Sequence, residues 1–327
     1  MDKRARLEAT LNGEAADRTP VALWRSFPGD DQRPSDLAAA VVAFQKTYDW
    51  DYVVVSPAPT FAVTDYGVQD AWDGAADGAR VISKLLISRS IDWTALRPLD
   101  PARGALGRQL EAIRLIREAL GSDVPIVQVI PSPLTQAAML SGRERLITHL
   151  RLSPDRLRSG LNVLTESLLR FMDALRRLGI DGILYQVSYA DHLHMSEAEY
   201  AEFGMPDDHR LLTLLPPKWW LNGVHLNGMY PMFRTAGALP VQYLQWRDRT
   251  CDIDIASGKG QFARAVCGGL DHHAHLLLGT PGLIRQTARE AITLTGGRRF
   301  ILSAGDAALI STPLSNLRAV REAVETT

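Results

Sequence analysis

Residue types that can move protons or hold ligands fall in a few short stretches of the chain. In "NGVHLNGM" (222–229), His225 and Asn227 stand two apart. An extended backbone puts both on one face. In "GGLDHHAH" (268–275), Asp271 is followed by His272, His273 and His275, and "YADHLHM" (189–195) carries His192 and His194. Arg25 and Asp306 each stand at the end of an apolar run. Histidine changes charge near neutral pH, so each is a candidate proton carrier or metal ligand. A hard-metal set of His225, Asn227, Asp271 and Asp306 is chemically allowed. A cysteine-rich zinc site is not, because the chain has 2 cysteines, Cys251 and Cys267. A lone strand histidine is more often packed core than ligand. The histidines of 272–275 lack a tetrahedral ligand spacing and read as a polar loop.

The elements that must position these groups alternate. Eight β-like runs stand at 20–26, 52–57, 125–131, 182–187, 223–228, 240–246, 263–269 and 298–305, each bounded by Pro, Gly or Asp. Helical patterns lie between them. "ALGRQLEAIRLIREAL" repeats apolar residues at Leu106, Leu110, Ile113, Ile116 and Leu120, which is one helix face. "SPDRLRSGLNVLTESLLRFMDALRRLG" opens on a Ser-Pro-Asp start and closes on Gly179. Strands alternating with helices predict parallel βαβ units, and eight of them an α/β (β/α)8 TIM barrel. One domain over 1–327 is expected, with an irregular insertion around 58–100 over one end. In such a barrel the active site lies at the C-terminal ends of the strands. Those ends carry Arg25, Ser56, Ser132, Gln186 with Tyr189, His225 with Asn227, Trp246 with Arg247, Asp271 and Asp306.

The formal net charge is -1. That gives no electrostatic case for nucleic acid or an anionic membrane as partner. No segment has signal-peptide character or the length of an apolar span, so a cytoplasmic protein is expected. "SGKGQ" and "GGLD" lack the spacing of a phosphate-binding loop, which sets nucleotides aside.

Several stretches together carry a resemblance. "DRTPVALWR", "YDWDYVVVSPAP", "PSPLTQAAMLSG", "NGVHLNGM", "GGLD" and "GGRRFILSAGDAALISTPLSNLRAVREAV" occur in the order of the landmarks of the uroporphyrinogen decarboxylase superfamily. The resemblance covers nearly the whole chain and implies a barrel with an open C-terminal cleft. Arg25 matches the first arginine of the decarboxylase motif. Gly29 stands where the second would be, and the acidic residue that faces the pyrrole N–H groups falls at or near Ala58. An eight-carboxylate substrate needs cationic partners on desolvation, so these losses point away from it. The corrinoid-linked methyltransferases and cobalamin-independent methionine synthases are a second branch. There zinc is held by His-x-Cys and a later cysteine. Here His225 matches the histidine, while Asn227 and Asp306 stand at the cysteine positions.

The resemblance implies a methyltransferase-like enzyme acting on a small or medium organic substrate in the barrel mouth. The alternatives are a tetrapyrrole decarboxylase with a rewired site and a non-catalytic homologue that binds a ligand or a corrinoid protein. The expected catalytic residues are His225, Asp306 and Arg25, with Arg25 anchoring an anion. Asn227, Gln186, Tyr189, His192, Trp246, Arg247 and Asp271 are expected to bind substrate. A divalent metal on His225 and Asp306 and direct substrate contact by the same residues stay open, as do a corrinoid-protein partner and a homodimer.

Overall fold

A computed structural model describes residues 1–325. Among the described residues there are nine strands: β1 (Val53–Val55), β2 (Gln69–Ala71), β3 (Val81–Lys84), β4 (Ile126–Pro131), β5 (Gly182–Val187), β6 (Gly223–Leu226), β7 (Tyr243–Trp246), β8 (Ala265–Leu270) and β9 (Phe300–Ala304). Seven of them form one curled parallel sheet in the order β1-β4-β5-β6-β7-β8-β9. Helices connect successive strands, as parallel pairing requires. The main helices follow their sequence signals. Gly104–Leu120 buries Leu106, Ile113 and Ile116, and Pro154–Leu175 carries its proline in the first turn. Thr280 caps Pro281–Thr295, which Gly296 ends in the left-handed region at φ 64°.

The first run, 20–26, does not form a strand ladder, which corrects the expectation of eight barrel strands. Val21 bridges Leu302 of β9, and its carbonyl accepts from the Asp51 N–H at 2.9 Å. Pro20 has no N–H to contribute. The Val21 N–H is taken by the Asp51 carboxylate at 2.7 Å. With both donors withdrawn, the segment lies beside the sheet edge and contributes a bridge. Asp51 is fully buried and also accepts from Arg6 (2.7 Å) and Arg18 (2.7 and 3.0 Å). This network ties the N-terminal helix, Lys3–Asn12, to the start of β1.

The stretch 58–100 is more regular than expected. It holds the β2–β3 antiparallel pair and two short 3-10 turns. The loop between β2 and β3 is pinned to the first extended segment. The Ser26 hydroxyl donates to the Asp77 carbonyl (3.1 Å), and the Ile310 N–H donates to the Ala76 carbonyl (2.7 Å). Gly78 sits at φ 79°, and a Cβ there would stand 2.3 Å from the Ser26 Cβ. Glycine is required on both counts.

Behind β5, Tyr185 points away from the inner face of the sheet. Its hydroxyl and that of Tyr200 donate to the two oxygens of Asp208 at 2.6 and 2.7 Å. Burial pushes the Asp208 carboxyl up to about 7, against the pull of the two hydroxyls. Between the ordinary carboxylate range and pH 7 the folded chain therefore holds a proton that the unfolded chain has lost. This group's contribution to stability is full at low pH and is lost as pH rises through 7. Asp208→Asn is expected to shrink the stability difference between about pH 5 and about pH 8 by at least ~1 kcal/mol, roughly one pKa unit. Urea unfolding of both proteins at the two pH values checks this; an unchanged difference would count against it.

Candidate active site

Register decides which strand residues meet. Gln186 of β5 pairs with His225 of β6, His225 with Gln245 of β7, and Gln245 with Cys267 of β8. Partners in a parallel ladder face the same way, so these four form one row across the inner face. Above the row, at the C-terminal ends of the strands, a cleft of about 620 Å³ opens. Gln186, Asn227, Arg247, Asp306, His272 and His273 supply part of its polar lining, with the hydroxyl residues Ser26, Ser56, Thr135 and Ser188. Trp24, Phe61, Met139 and Leu309 supply much of its apolar lining, and Ala75, Ala76, Asp77 and Ala79 reach it from the loop between β2 and β3.

The most tightly connected polar group in the cleft is Asp306. Arg247 donates to its Oδ2 from Nε (2.9 Å) and from a terminal nitrogen (2.6 Å), and the Ala307 N–H donates to Oδ1 (2.7 Å). Burial works against the charge on Asp306. Its neighbours His225 and Arg247, with these hydrogen bonds, outweigh that and hold its carboxyl below the ordinary range. His225 lies beneath the cleft lining, fully buried, with Nε2 3.2 Å from the Gly305 carbonyl and 3.7 Å from Asp306 Oδ1. The carbonyl can only accept, so Nε2 carries a hydrogen. Nδ1 has no hydrogen-bond partner among the described residues, and Trp24 meets the ring edge-on at 5.6 Å between centroids. Burial drives the imidazole pKa down, and Asp306 opposes this only in part. His225 lies beside Asp306, beneath the cleft lining rather than in it.

The remaining expected residues divide by strand phase. Trp24 and Ser26 line the cleft, while Arg25 between them turns its guanidinium over the rings of Phe27 (4.9 Å) and Phe44 (5.6 Å). Gln245 and Arg247 face inward and Trp246 outward, against Phe233 and with its indole N–H on the Ile253 carbonyl. Tyr189 stacks on His194 at 5.0 Å and His192 pairs with Glu197 at 3.7 Å, both outside the cleft lining. Asp271 caps a helical turn, 272–277, accepting from the N–H groups of His273 and Ala274. That turn presents His272 and His273 to the cleft, where the sequence reads only as a polar loop. Trp24, Thr135 and Met139 also line the cleft without having been singled out. Alternation around Arg25 was the available signal for Trp24.

A family model, "Uroporphyrinogen decarboxylase (URO-D)", matches residues 2–327. The chain belongs to the uroporphyrinogen decarboxylase family. Uroporphyrinogen decarboxylase from Roseiflexus sp. (strain RS-1) is 27% identical over 71% of this chain and 69% of its own length. The Prochlorococcus marinus (strain NATL2A) enzyme is 25% identical over 70% and 65%. The chain thus spans about two thirds of the length of these relatives. Among solved structures, a methyltransferase from Methanosarcina mazei superposes with TM-score 0.87 at 22% identity, covering 99% of this chain and 98% of the other. A B12-independent methionine synthase from Shewanella sp. W3-18-1 gives 0.60 at 13%, covering 96% of each. These likenesses establish a shared fold.

The zinc that the methyltransferase branch of this superfamily implies can be tested against the donors present. Thiolates are the soft ligands that zinc prefers. Burial raises both thiols, Cys251 to about 11 and Cys267 to about 12. Cys251 Sγ points at the Gly228 carbonyl (3.3 Å), and Cys267 lies 3.9 Å from the Tyr52 hydroxyl. Both Asp306 oxygens are engaged. Among the described residues no group of three or more His, Cys, Asp or Glu is arranged to hold an ion. The donor set does not fit zinc.

Proposed function

We propose that this family member is a methyl-transferring enzyme that binds a small or medium organic substrate directly against Asn227 and the Arg247–Asp306 pair, without a metal. The observation that carries the reading is the charge of the cleft. Arg247 is the one arginine or lysine among the described residues lining it, and Asp306 already neutralises it. A polycarboxylate tetrapyrrole entering such a cleft would lose water from its anions without gaining cationic partners. A compact molecule with an apolar body and one polar end matches the lining of Trp24, Phe61, Met139 and Leu309 opposite Asn227, Arg247 and Asp306. The assignment to methyl transfer, rather than another chemistry, draws on the sequence resemblance and on the fold shared with the Methanosarcina methyltransferase.

The chain's own residues have distinct tasks in this reading. Asn227 offers a donor and an acceptor to the polar end of the substrate. Asp306 fixes the Arg247 guanidinium in the cleft lining, leaving it further N–H groups to offer a substrate. His225, hydrogen-bonded to the Gly305 carbonyl, supports Asp306 from below. The test is incubation of the purified chain with uroporphyrinogen and, separately, with a panel of methyl donors paired with hydroxyl, amine and thiol acceptors, read by mass spectrometry. No loss of carbon dioxide and a 14-unit mass gain (about one added methylene) on one acceptor class are expected. Decarboxylation of uroporphyrinogen would overturn the reading.

A further inference from the structure

We propose that His272, positioned by Asp271, is the residue that carries protons to and from the substrate in the cleft. This rests on the reading of the cleft as the substrate site. His225 is ill suited to the task because no part of it is exposed. His272 lines the cleft with its side chain 18% exposed, so it reaches both substrate and solvent. It is also near enough to His225 for its charge to act there, which puts it on the Asp306 side of the cleft.

Asp271 is rigidly placed. It follows β8, its Oδ1 accepts from the N–H groups of His273 (2.9 Å) and Ala274, and its own N–H donates to His275 Nδ1 at 2.9 Å. Its other oxygen, Oδ2, lies 3.9 Å from His272 Nδ1. A fixed negative charge on that side of the ring favours the proton on Nδ1 and leaves Nε2 as the basic atom. The ionisable groups nearby are Asp271 and His273 on its own turn, Arg247 and Asp306 on the same side of the cleft, His225 beneath them, Asp77 elsewhere in the lining, and Arg249, whose guanidinium bonds the Gly269 carbonyl. Arg247 and Asp306 cancel, so Asp271 supplies the unbalanced charge nearest the ring.

The step is a proton transfer. A substrate O–H, N–H or S–H held against Asn227 gives its proton to His272 Nε2 and keeps the electron pair on the heteroatom. The imidazolium then releases the proton to water at the open mouth. In reverse, the imidazolium protonates a departing heteroatom. Asp271 acts here through His272 and is a positioning residue.

The experiment follows the imidazole signals of the ¹⁵N-histidine-labelled full chain by NMR against pH, in the wild type and in H272Q, H273Q and D271N. One signal, absent in H272Q, is expected to show a neutral ring with its hydrogen on Nδ1. In D271N that preference for Nδ1 should be lost. With an acceptor from the methyl-transfer panel, H272Q should lose about 100-fold in kcat or more and flatten the pH profile, while H209Q, on the exposed face of the helix Met205–Thr213, keeps both. A neutral His272 ring with its hydrogen on Nε2, or one whose tautomer ignores D271N, overturns the proposal. So does an H272Q enzyme with wild-type kcat and pH profile. If the wild type methylates nothing in the panel, the functional reading fails, while the ring tautomer still decides the role of the Asp271–His272 pair.

Discussion

Asp306→Asn is expected to lower kcat by about 100-fold or more while leaving the chain folded. The substitution keeps the shape of the side chain and removes its charge. Three donors now converge on it, two from Arg247 and one from the Ala307 N–H. Asparagine can accept through one oxygen only, and its amide would point a donor at a donor on the other side. Arg247 would swing free and become the uncompensated cation of the cleft. Binding of a neutral substrate end would weaken, and an anion would bind more tightly than in the wild type. Each charge-assisted hydrogen bond contributes about 1.5–3 kcal/mol, so losing their geometry at a reacting centre is enough for the expected loss in rate. The side chain is 14% exposed, so water can take over part of the lost bonding and the fold should survive. Steady-state kinetics with the acceptor identified by the panel, together with a thermal melt, make the check. An Asp306→Asn enzyme as fast as the wild type would remove Asp306 from the site.

The largest expected effect on stability is at the opposite end of the strands. Asp51→Ala should cost about 3–5 kcal/mol, because it leaves buried cations without their partner. The Arg6 and Arg18 side chains are 9% and 13% exposed, and Asp51 is 0% exposed. Arg6 keeps Asp17, whereas the two Arg18 contacts to Asp51 are lost outright. The Val21 N–H also loses its acceptor at the place where the first extended segment meets the sheet. Equilibrium unfolding in urea measures the cost. Arg114 provides the contrast. It bridges Glu111 and Glu118 on an exposed helix face, where salt and water screen the pairs. Arg114→Ala should leave the unfolding midpoint almost unchanged. Equal effects at Asp51 and Arg114 would sink the argument from burial.

Much of the fold could be read from local pattern. The run at 182–187 became β5 with the same limits, and the six other runs of the sheet became strands trimmed at their ends or extended by a residue. Start and stop residues such as Pro154, Thr280 and Gly296 act through their own backbone, so they needed no tertiary information. The run at 20–26 has strand composition too. It lost its ladder to Asp51, a residue about thirty positions away whose carboxylate took the donor. The β2–β3 pair in 58–100 was missed because its strands are three and four residues long and mostly exposed, so no apolar alternation marks them.

The candidate site shows the same division. His225, Asn227, Gln186, Arg247 and Asp306 were identifiable from strand ends and from the family resemblance, and the structure brings all five to the cleft or directly beneath it. Arg25 and Trp246 were read one position out of phase, since a polar strand end does not say which of two adjacent side chains faces inward. Sequence by itself determined the alternating elements, their caps and the family, because these depend on neighbours a few residues apart or on the order of short landmarks. Only the tertiary structure decided the facing. Register across β5, β6, β7 and β8 set which residues share a row. Burial placed His225 under the cleft instead of in it, and a capped turn after β8 brought His272 to the position a proton carrier would need.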